Sequence, residues 1–497
     1  MSGRNLPELL RTNVLQRPET QSIDTSILRP VNFSQNGCRF VFEKKGILDS
    51  NSHLQMKLRV KTANGATPAN PNTFLAYLPT STGALAWVKR AYLTIGGRRI
   101  SNLDEVGHYN TYMRLHYSNE YKKGVIMPKQ GGDDIFMGST TRTILANGAD
   151  AIKSRGFSAP FGVLGREGTE FAIIPSGAGA GAQSADETDL RTRKSQHIRG
   201  GEENCPTFMV SLSQLIPFLK GLQLPLFAIN QEVAINIEWS DDLIGHRFQK
   251  EQAVAGVLTT EFVEKDCLIC ADYLFYPDLM EDMADEIMNK GGYDVPYDEI
   301  LVQENTISLT NGATDTFDIQ LAYGGKKVKS IVVQRENVDG ANLIINNIGR
   351  YNSAGYRLGK SVQLNIDSQN WYSKPLTNNS LQKCELDACE GGIPTQLCDY
   401  RYCWKSSVSN NGSNDVLGLC DRKLNGYDQQ IEVGTMNWSG TKLANAFGQG
   451  KRVSNLPMIY TEKVNSIVDD GTQRLMRFFV KTQRVANISS GIVNVIE

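Results

Sequence analysis

The chain has 497 residues, with 52 Lys plus Arg against 53 Asp plus Glu and a formal net charge of −1, so no global field draws it to nucleic acid or an anionic membrane. At about 150 residues per domain its length exceeds one ordinary core and suits two large β domains. Nine cysteines, no apolar leader in MSGRNLPELLRTNV and no uncharged apolar run of about 18 residues point to reduced thiols and no membrane span.

Residues 1–26 read as a polar N-terminal arm with one apolar cluster, Leu6, Leu9 and Leu10. Such an arm cannot fold alone; it is either a disordered tail or a tether that orders on a neighbouring subunit. From Ile27 the pattern turns strand-like, with Leu54, Met56, Leu58 and Val60 alternating with Gln55, Lys57 and Arg59. WVKRAYLTI (87–95) is another strand, and Gly96-Gly97 after it can supply the positive φ of a tight hairpin. Asp104 then reads as a helix N-cap, with Val106, Tyr109, Met113 and His116 at helical spacing.

Residues 122–206 are Gly-, Ser- and Thr-rich, and include the basic stretch RTRKSQHIRGG (191–201). With no interleaved aromatic, that stretch reads as a solvated or subunit-facing loop rather than a nucleic-acid site. TFMVSLSQLIPFLKGLQLPLFAINQEVAINIEW (207–239) follows: a short strand, a one-turn helix opened by Ser213, a Leu224-Pro225-Leu226 corner, and a strand with Val233, Ile235, Ile237 and Trp239 on one face. A connector at 240–262 is expected to end the first domain. Leu268–Tyr276 reads as a strand, and Pro277-Asp278 opens a helix with a Leu279, Met283, Ile287 and Met288 stripe, ended by Gly291-Gly292. Further strands are expected at Thr316–Tyr323, Ile331–Val333, Val362–Ile366, Met476–Val480 and in the closing QRVANISSGIVNVIE.

Few residue sets carry chemistry. Ala354-Gly355-Tyr-Arg-Leu-Gly359-Lys360-Ser361 satisfies the permissive spacing of a phosphate loop, but an alternating strand follows where the chemistry needs a helix, so a turn is expected. Cys384, Cys389, Cys398 and Cys403 are numerous enough for a tetrahedral zinc site, a disulfide formed after release, or free loop thiols. Cys267 and Cys270 face opposite sides of a predicted strand, and the acidic cluster Glu281-Asp282 with Asp285-Glu286 reads as a solvated helix face. The five histidines (53, 108, 116, 197, 246) show no metal spacing, and no nucleophile motif occurs. No cofactor, catalytic residue or specific nucleic-acid partner is expected. A glycan-binding or glycan-processing β-sandwich protein remains the alternative, since a carboxylate pair is identified only in three dimensions.

Several segments resemble the double jelly-roll major capsid proteins of virophages, polinton-like viruses and large DNA viruses of eukaryotes. LTIGGRRISNLDEVGHYNTYMRLHYSNEY (93–121) is similar to that family's Ile-Gly-Gly strand end and helix. LSQLIPFLKGLQLPLFAINQEVAINIEW is similar to its Pro-Phe, Leu-Pro-Leu and final-strand segment, with Pro217-Phe218-Leu219 replacing a Trp-rich variant. ADYLFYPDLMEDMADEIMNKGGYDVPYDEILVQE (271–304) resembles the opening of the second roll, at Asp272-Tyr273, and RVANISSGIVNV its closing strand, with Asn487 and Gly491. The resemblance implies an all-β chain with a few inserted short helices, built as two tandem eight-stranded jelly rolls: 27–250 with a long insertion at 122–206, and 251–497 with loops at 334–360 and 377–460. It further implies a homotrimeric pseudo-hexagonal block that tiles an icosahedral shell in the virion, contacts with neighbouring capsomers, penton and minor capsid proteins, and no enzymatic activity.

Overall fold

Alternation of apolar and polar residues buries one face of a strand and leaves the other for solvent, and the runs with that pattern form strands throughout the computed structural model. It describes residues 22–62, 83–114, 207–220, 224–240, 258–289, 291–310, 313–337, 361–377, 438–445, 448–454, 456–465 and 473–496, with short pieces at 76–77, 116–117, 121, 125–130, 141–144, 150–153, 249–250, 385–386 and 388–390.

The principal strands form two sets. In the first, β1 (Ser22–Leu28), β2 (Gly37–Val41), β3 (His53–Thr62), β4 (Val88–Ile95), β5 (Arg98–Asp104), β6 (Thr207–Ser211), β7 (Val233–Trp239) and β8 (Leu268–Phe275) make one sheet in the order β6-β3-β8-β1 and another in the order β2-β7-β4-β5. In the second, β9 (Tyr293–Ser308), β10 (Thr314–Leu321), β11 (Lys327–Asn337), β12 (Ser361–Ile366), β13 (Gln369–Asn370), β14 (Trp438–Lys442), β15 (Met458–Asn465) and β16 (Gln473–Ser489) pair as β14-β11-β16-β9 and β10-β15-β12-β13. Adding eight to each strand number of the first pair of sheets gives the second pair. In both, the first strand pairs with the last and the second with the next to last, all antiparallel, which is the winding of a jelly roll. The all-β, doubled eight-strand architecture expected from sequence is present. Short accessory strands lengthen these sheets, among them Leu258–Phe262 beside β3 and Ile492–Ile496 beside β16.

The pairings move the expected boundaries. Leu258–Phe262 pairs with β3, and β8 pairs with β1 and β3, so the chain stays in the first sandwich through Phe275, beyond the expected break at 250/251. β7 is therefore the penultimate strand of the first roll, and β8, expected to open the second, closes the first. α2 (Pro277–Asn289) then crosses to β9. Its acidic residues are exposed as expected, but Met288 of the expected apolar stripe is exposed as well. β1 begins at Ser22, inside the stretch read as an arm, and the loops expected at 334–360 and 377–460 include the end of β11, all of β14 and the start of β15.

Two local expectations resolve cleanly. Gly96 and Gly97, at φ 58° and 78°, turn β4 into β5, a conformation that costs a Cβ-bearing residue about 1–2 kcal/mol. The one-turn helix expected to open at Ser213 is present at Leu212–Leu215, one residue earlier. Pro217, which has no N–H to continue it, starts a separate 3-10 turn at Pro217–Leu219.

In the first sandwich Phe40, Leu54, Met56, Phe208, Val210, Ile235 and Ile269 are fully buried. Trp239 stacks on Phe262 at 4.1 Å, and Phe262 in turn meets the edge of Trp87 at 5.9 Å. The second core, with Leu364, Met458, Met476, Phe478 and Val480, encloses a polar group. Arg335 Nε donates to Glu462 Oε1 at 2.7 Å, and its second nitrogen reaches Ser439 Oγ and Tyr460 Oη at 3.0 Å each. Burial alone would lower the Arg335 pKa, but the Glu462 carboxylate reverses this and holds it above its ordinary value. Removing one partner leaves an uncompensated buried charge, which costs more than removing both. Glu462→Ala is accordingly expected to destabilise the chain by about 3–5 kcal/mol, while Arg335→Met combined with Glu462→Leu costs markedly less. Urea unfolding of the two variants checks this.

Candidate assembly site

The two sandwiches are joined along a seam of polar and apolar contacts. Its second-sandwich side is the outer face of the β9-β16-β11 sheet. Paired residues of an antiparallel ladder share a face, which puts Ile300, Lys481 and Ser330 in one row, Val302, Phe479 and Val332 in the next, and Glu304, Arg477 and Gln334 in a third. Phe478, Val480, Ile331 and Val333 lie on the opposite face, in the second core. Phe479 is 1% and Val332 3% exposed, so at its centre this sheet is buried on both faces.

What covers it comes from the first sandwich. The connection from β5 to β6 begins with Glu105 at φ 54° and continues as α1 (Val106–Arg114). Val106, Tyr109, Tyr112 and Met113 are buried, as the helical spacing predicts. Tyr109 lies 5.6 Å from Phe479 ring to ring, and Tyr112 Oη donates to Leu386 O at 3.4 Å. Asn110 Nδ2 donates to Val106 O and Gln214 O, at 2.9 and 3.0 Å, tying the helix to the one-turn segment beside it. Phe218 in the Pro217 turn meets the edge of Tyr297 at 4.8 Å, and Tyr297 Oη donates to Ile100 O at 2.9 Å. Gly491, at φ 76° in the last hairpin, accepts from Asn230 N at 2.9 Å, and Val493 N donates to Gln231 Oε1 at 3.1 Å.

Charges lie inside the seam. Arg477 Nε pairs with Glu304 at 2.6 Å, another Arg477 nitrogen donates to Gln334 Oε1 at 2.8 Å, and a third approaches Glu105 at 3.9 Å. His108 Nδ1 lies 2.8 Å from the same Glu105 carboxylate. Glu390 pairs with Lys481, and Lys220 of the first sandwich stands 3.8 Å away. Burial by itself would raise the Glu390 pKa, but Lys481 and then Lys220 bring it below the ordinary carboxylate value. Lys481, which burial would lower, is raised by Glu390. These are charge pairs that hold two bodies together. Among the described residues no group of His, Cys, Asp and Glu could hold a metal ion, and no helix is long and apolar enough to cross a membrane.

The residues singled out from sequence divide between this seam and elsewhere. Pro217, Phe218, Asn487 and Gly491 are at or beside it, Asn487 donating to Asp294 at 2.7 Å. Leu224-Pro225 pairs with Ile47-Leu48, and Leu226 is buried in the first sandwich. Asp272 Oδ1 accepts from Thr25 Oγ1 at 2.7 Å, and the buried Tyr273 accepts from Glu43 N at 3.2 Å, both in the first sheet. Cys267 is buried, whereas Cys270 is part-exposed on the outer face. Cys389 is buried against Gly440, its thiol pKa pushed up first by burial and then by Glu390. Cys384, Cys398, Cys403, Leu6, Leu9, Leu10, the 191–201 stretch and the 355–360 turn lie outside the described residues. Tyr297, Glu105, Arg477, Lys481 and Glu390 were not anticipated. The available signal was the loss of alternation in Met476–Val480, where consecutive residues are all buried.

No protein-family profile and no curated protein matches the sequence. Solved structures do. VP54 of PBCV-1, fitted into a reconstruction of the virophage Sputnik, aligns over 97% of this chain and 98% of its own, at TM-score 0.52 and 13% identity. The cryo-EM structure of the Sputnik virophage gives TM-score 0.55 at 12% identity, covering 97% of this chain and 89% of that one. The Faustovirus major capsid protein gives 0.51 at 8% identity, over 95% and 92%. The chain has the double jelly-roll fold of these proteins. The likeness spans both sandwiches.

A group whose folded pKa is depressed adds stability above its unfolded pKa and loses it as pH falls through the folded value. For Glu390 the unfolded value is about 4.3, so its contribution is complete at neutral pH and disappears in the acid range below that. Glu390→Gln is expected to lower stability at pH 7 and to flatten the further loss on acidification below about pH 4. Thermal unfolding of both proteins as a function of pH measures it.

Proposed function

We propose that this chain is a major capsid protein, a mechanical subunit rather than an enzyme, which self-assembles as a homotrimer and tiles an icosahedral viral shell in the virion. The observation that carries this reading is the exact-order repeat of two jelly rolls, fused by a buried seam, in a chain that matches capsid proteins along nearly its whole length. Two like sandwiches side by side give each subunit two lobes, and three subunits around an axis give six, the shape that packs hexagonally. Neighbouring capsomers, penton and minor capsid proteins are the partners such a shell requires. The apolar segment with Leu6, Leu9 and Leu10 is a tether to one of them.

Purified chain at micromolar concentration is expected to sediment and scatter light as a trimer, and to show pseudo-hexagonal particles in electron micrographs. A persistent monomer overturns the reading. Because β1 begins at Ser22, the arm is tested by deleting residues 1–21. That deletion is expected to leave the capsomer intact and to block shell formation, as read by particle counts in an assembly reaction.

A further inference from the structure

We propose that Cys38 and Cys267 form a latent cross-sheet disulfide, a facing thiol pair that a small-molecule disulfide oxidant closes into a bond between the two sheets of the first sandwich. The inference concerns the first sandwich alone and holds whether or not the chain builds a shell.

The two cysteines come from opposite sheets. Cys38 lies on β2, in the inward-facing set that includes Phe40, and pairs with Ile237 on one side and Phe33 on the other. Cys267 stands immediately before β8, in the inward set that continues with Ile269, Ala271 and Tyr273. Both belong to the first core, at 6% and 0% exposed. β2 is in one sheet and β8 in the other, and the two thiols are side-chain neighbours across the core.

Hydrogen bonds fix this approach. Gln35, in the turn that feeds β2, donates from Nε2 to Phe262 O at 3.1 Å and accepts at Oε1 from Phe262 N at 2.8 Å. Val263 N then donates to Lys57 O at 3.0 Å. Cys267 N donates to Glu264 O at 3.0 Å, closing the 3-10 turn Glu264–Asp266. The segments leading into the two cysteines are thus tied to each other as well as to their own sheets.

Two sulfurs are too few for a tetrahedral zinc site, and among the described residues no metal-holding group of His, Cys, Asp and Glu gathers around them. What facing thiols can do is exchange with a disulfide. One cysteine thiolate attacks a sulfur of the oxidant, giving a mixed disulfide and releasing one small thiol. The second attacks the protein-side sulfur and releases the other. The protein gives up two electrons and two protons, and the oxidant leaves as two thiols. Burial pushes the Cys38 thiol pKa far above its ordinary value, and Cys267 beside it adds to the shift, so the closed sandwich keeps Cys38 as an unreactive thiol. Reaction waits for local opening, which β2 can supply because only the three-residue strand Asn32–Ser34 lies beyond it in the sheet. The bond closes a loop of about 230 residues, long enough to remove much of the freedom of the unfolded chain. Cys270, part-exposed on the outer face of β8, is the internal control.

Full-length wild-type chain is incubated with glutathione disulfide in urea below its unfolding midpoint, alkylated under denaturing conditions without reductant, digested and read by mass spectrometry. A peptide joining Cys38 to Cys267 is expected in most chains, with Cys270 carrying glutathione. Once urea is removed, the thermal midpoint is expected to lie about 5 °C or more above that of the reduced chain, and to return on adding dithiothreitol. Cys38→Ser is expected to abolish both the joined peptide and the shift. If that variant misfolds, Cys267→Ser replaces it, and the wild-type peptide map stands without either. Cys38 and Cys267 each capped singly by glutathione, or both still reduced once Cys270 has reacted, overturns the proposal. Either result leaves the shell reading intact, because the oligomer measurement tests that reading separately.

Discussion

The packing of α1 on the outer face of β9, β16 and β11 is the contact on which the rest depends. A jelly roll needs only its inner faces to be apolar, because solvent can take the outer ones. Here one outer sheet has given up that freedom. Met476, Arg477, Phe478, Phe479 and Val480 are buried in succession, the even-numbered members against the second core and Phe479 against Tyr109. A strand of this kind cannot be exposed without stranding several large side chains in water, each about 1.5–3 kcal/mol. The second sandwich is therefore a partner of the first by construction, and the chain behaves as one two-lobed body.

The charges in the seam set its alignment. Apolar contacts between α1 and the sheet tolerate sliding, since their energy follows area and has little direction. Arg477 is different: its nitrogens engage Glu304 and Gln334 of its own sheet while facing Glu105 at the start of α1. Lys481, Glu390 and Lys220 repeat this at the other end, with two charges from one sandwich and one from the other. Glu304 and Lys220 are half-exposed, but Arg477, Glu390 and Lys481 are buried, and a buried charge that loses its partner is costly. They hold the two lobes at one mutual position.

Much of the secondary structure was legible because it rests on local chemistry. Gly96-Gly97 demanded a hairpin, Pro277-Asp278 opened a helix that Gly291-Gly292 closed, and Val233–Trp239 alternated as a half-buried strand does. The winding was not legible from periodicity, because β1 finds β8 across roughly 240 residues and nothing local records it. Hence β8 was assigned to the roll it precedes rather than the roll it closes. The start of β1 was hidden for a related reason: Ser22 to Ser26 lie on an edge with little burial, so they carry no core-facing stripe. The seam's charged residues were invisible, since Arg477 and Glu390 look like surface residues until the other sandwich covers them.

The repeat also makes the chain its own control. Two sheets with the same strand order and opposite surroundings differ at their outer faces: Phe479 and Val332 are enclosed, whereas Ile23 and Ile27 project into solvent. Isolated apolar side chains such as Ile23 and Ile27 are ordinary on a solvated face, whereas Phe479 is packed against Tyr109 of α1. The enclosed contact is made inside one chain, where joining the partners carries no association cost of the kind that separate subunits meet.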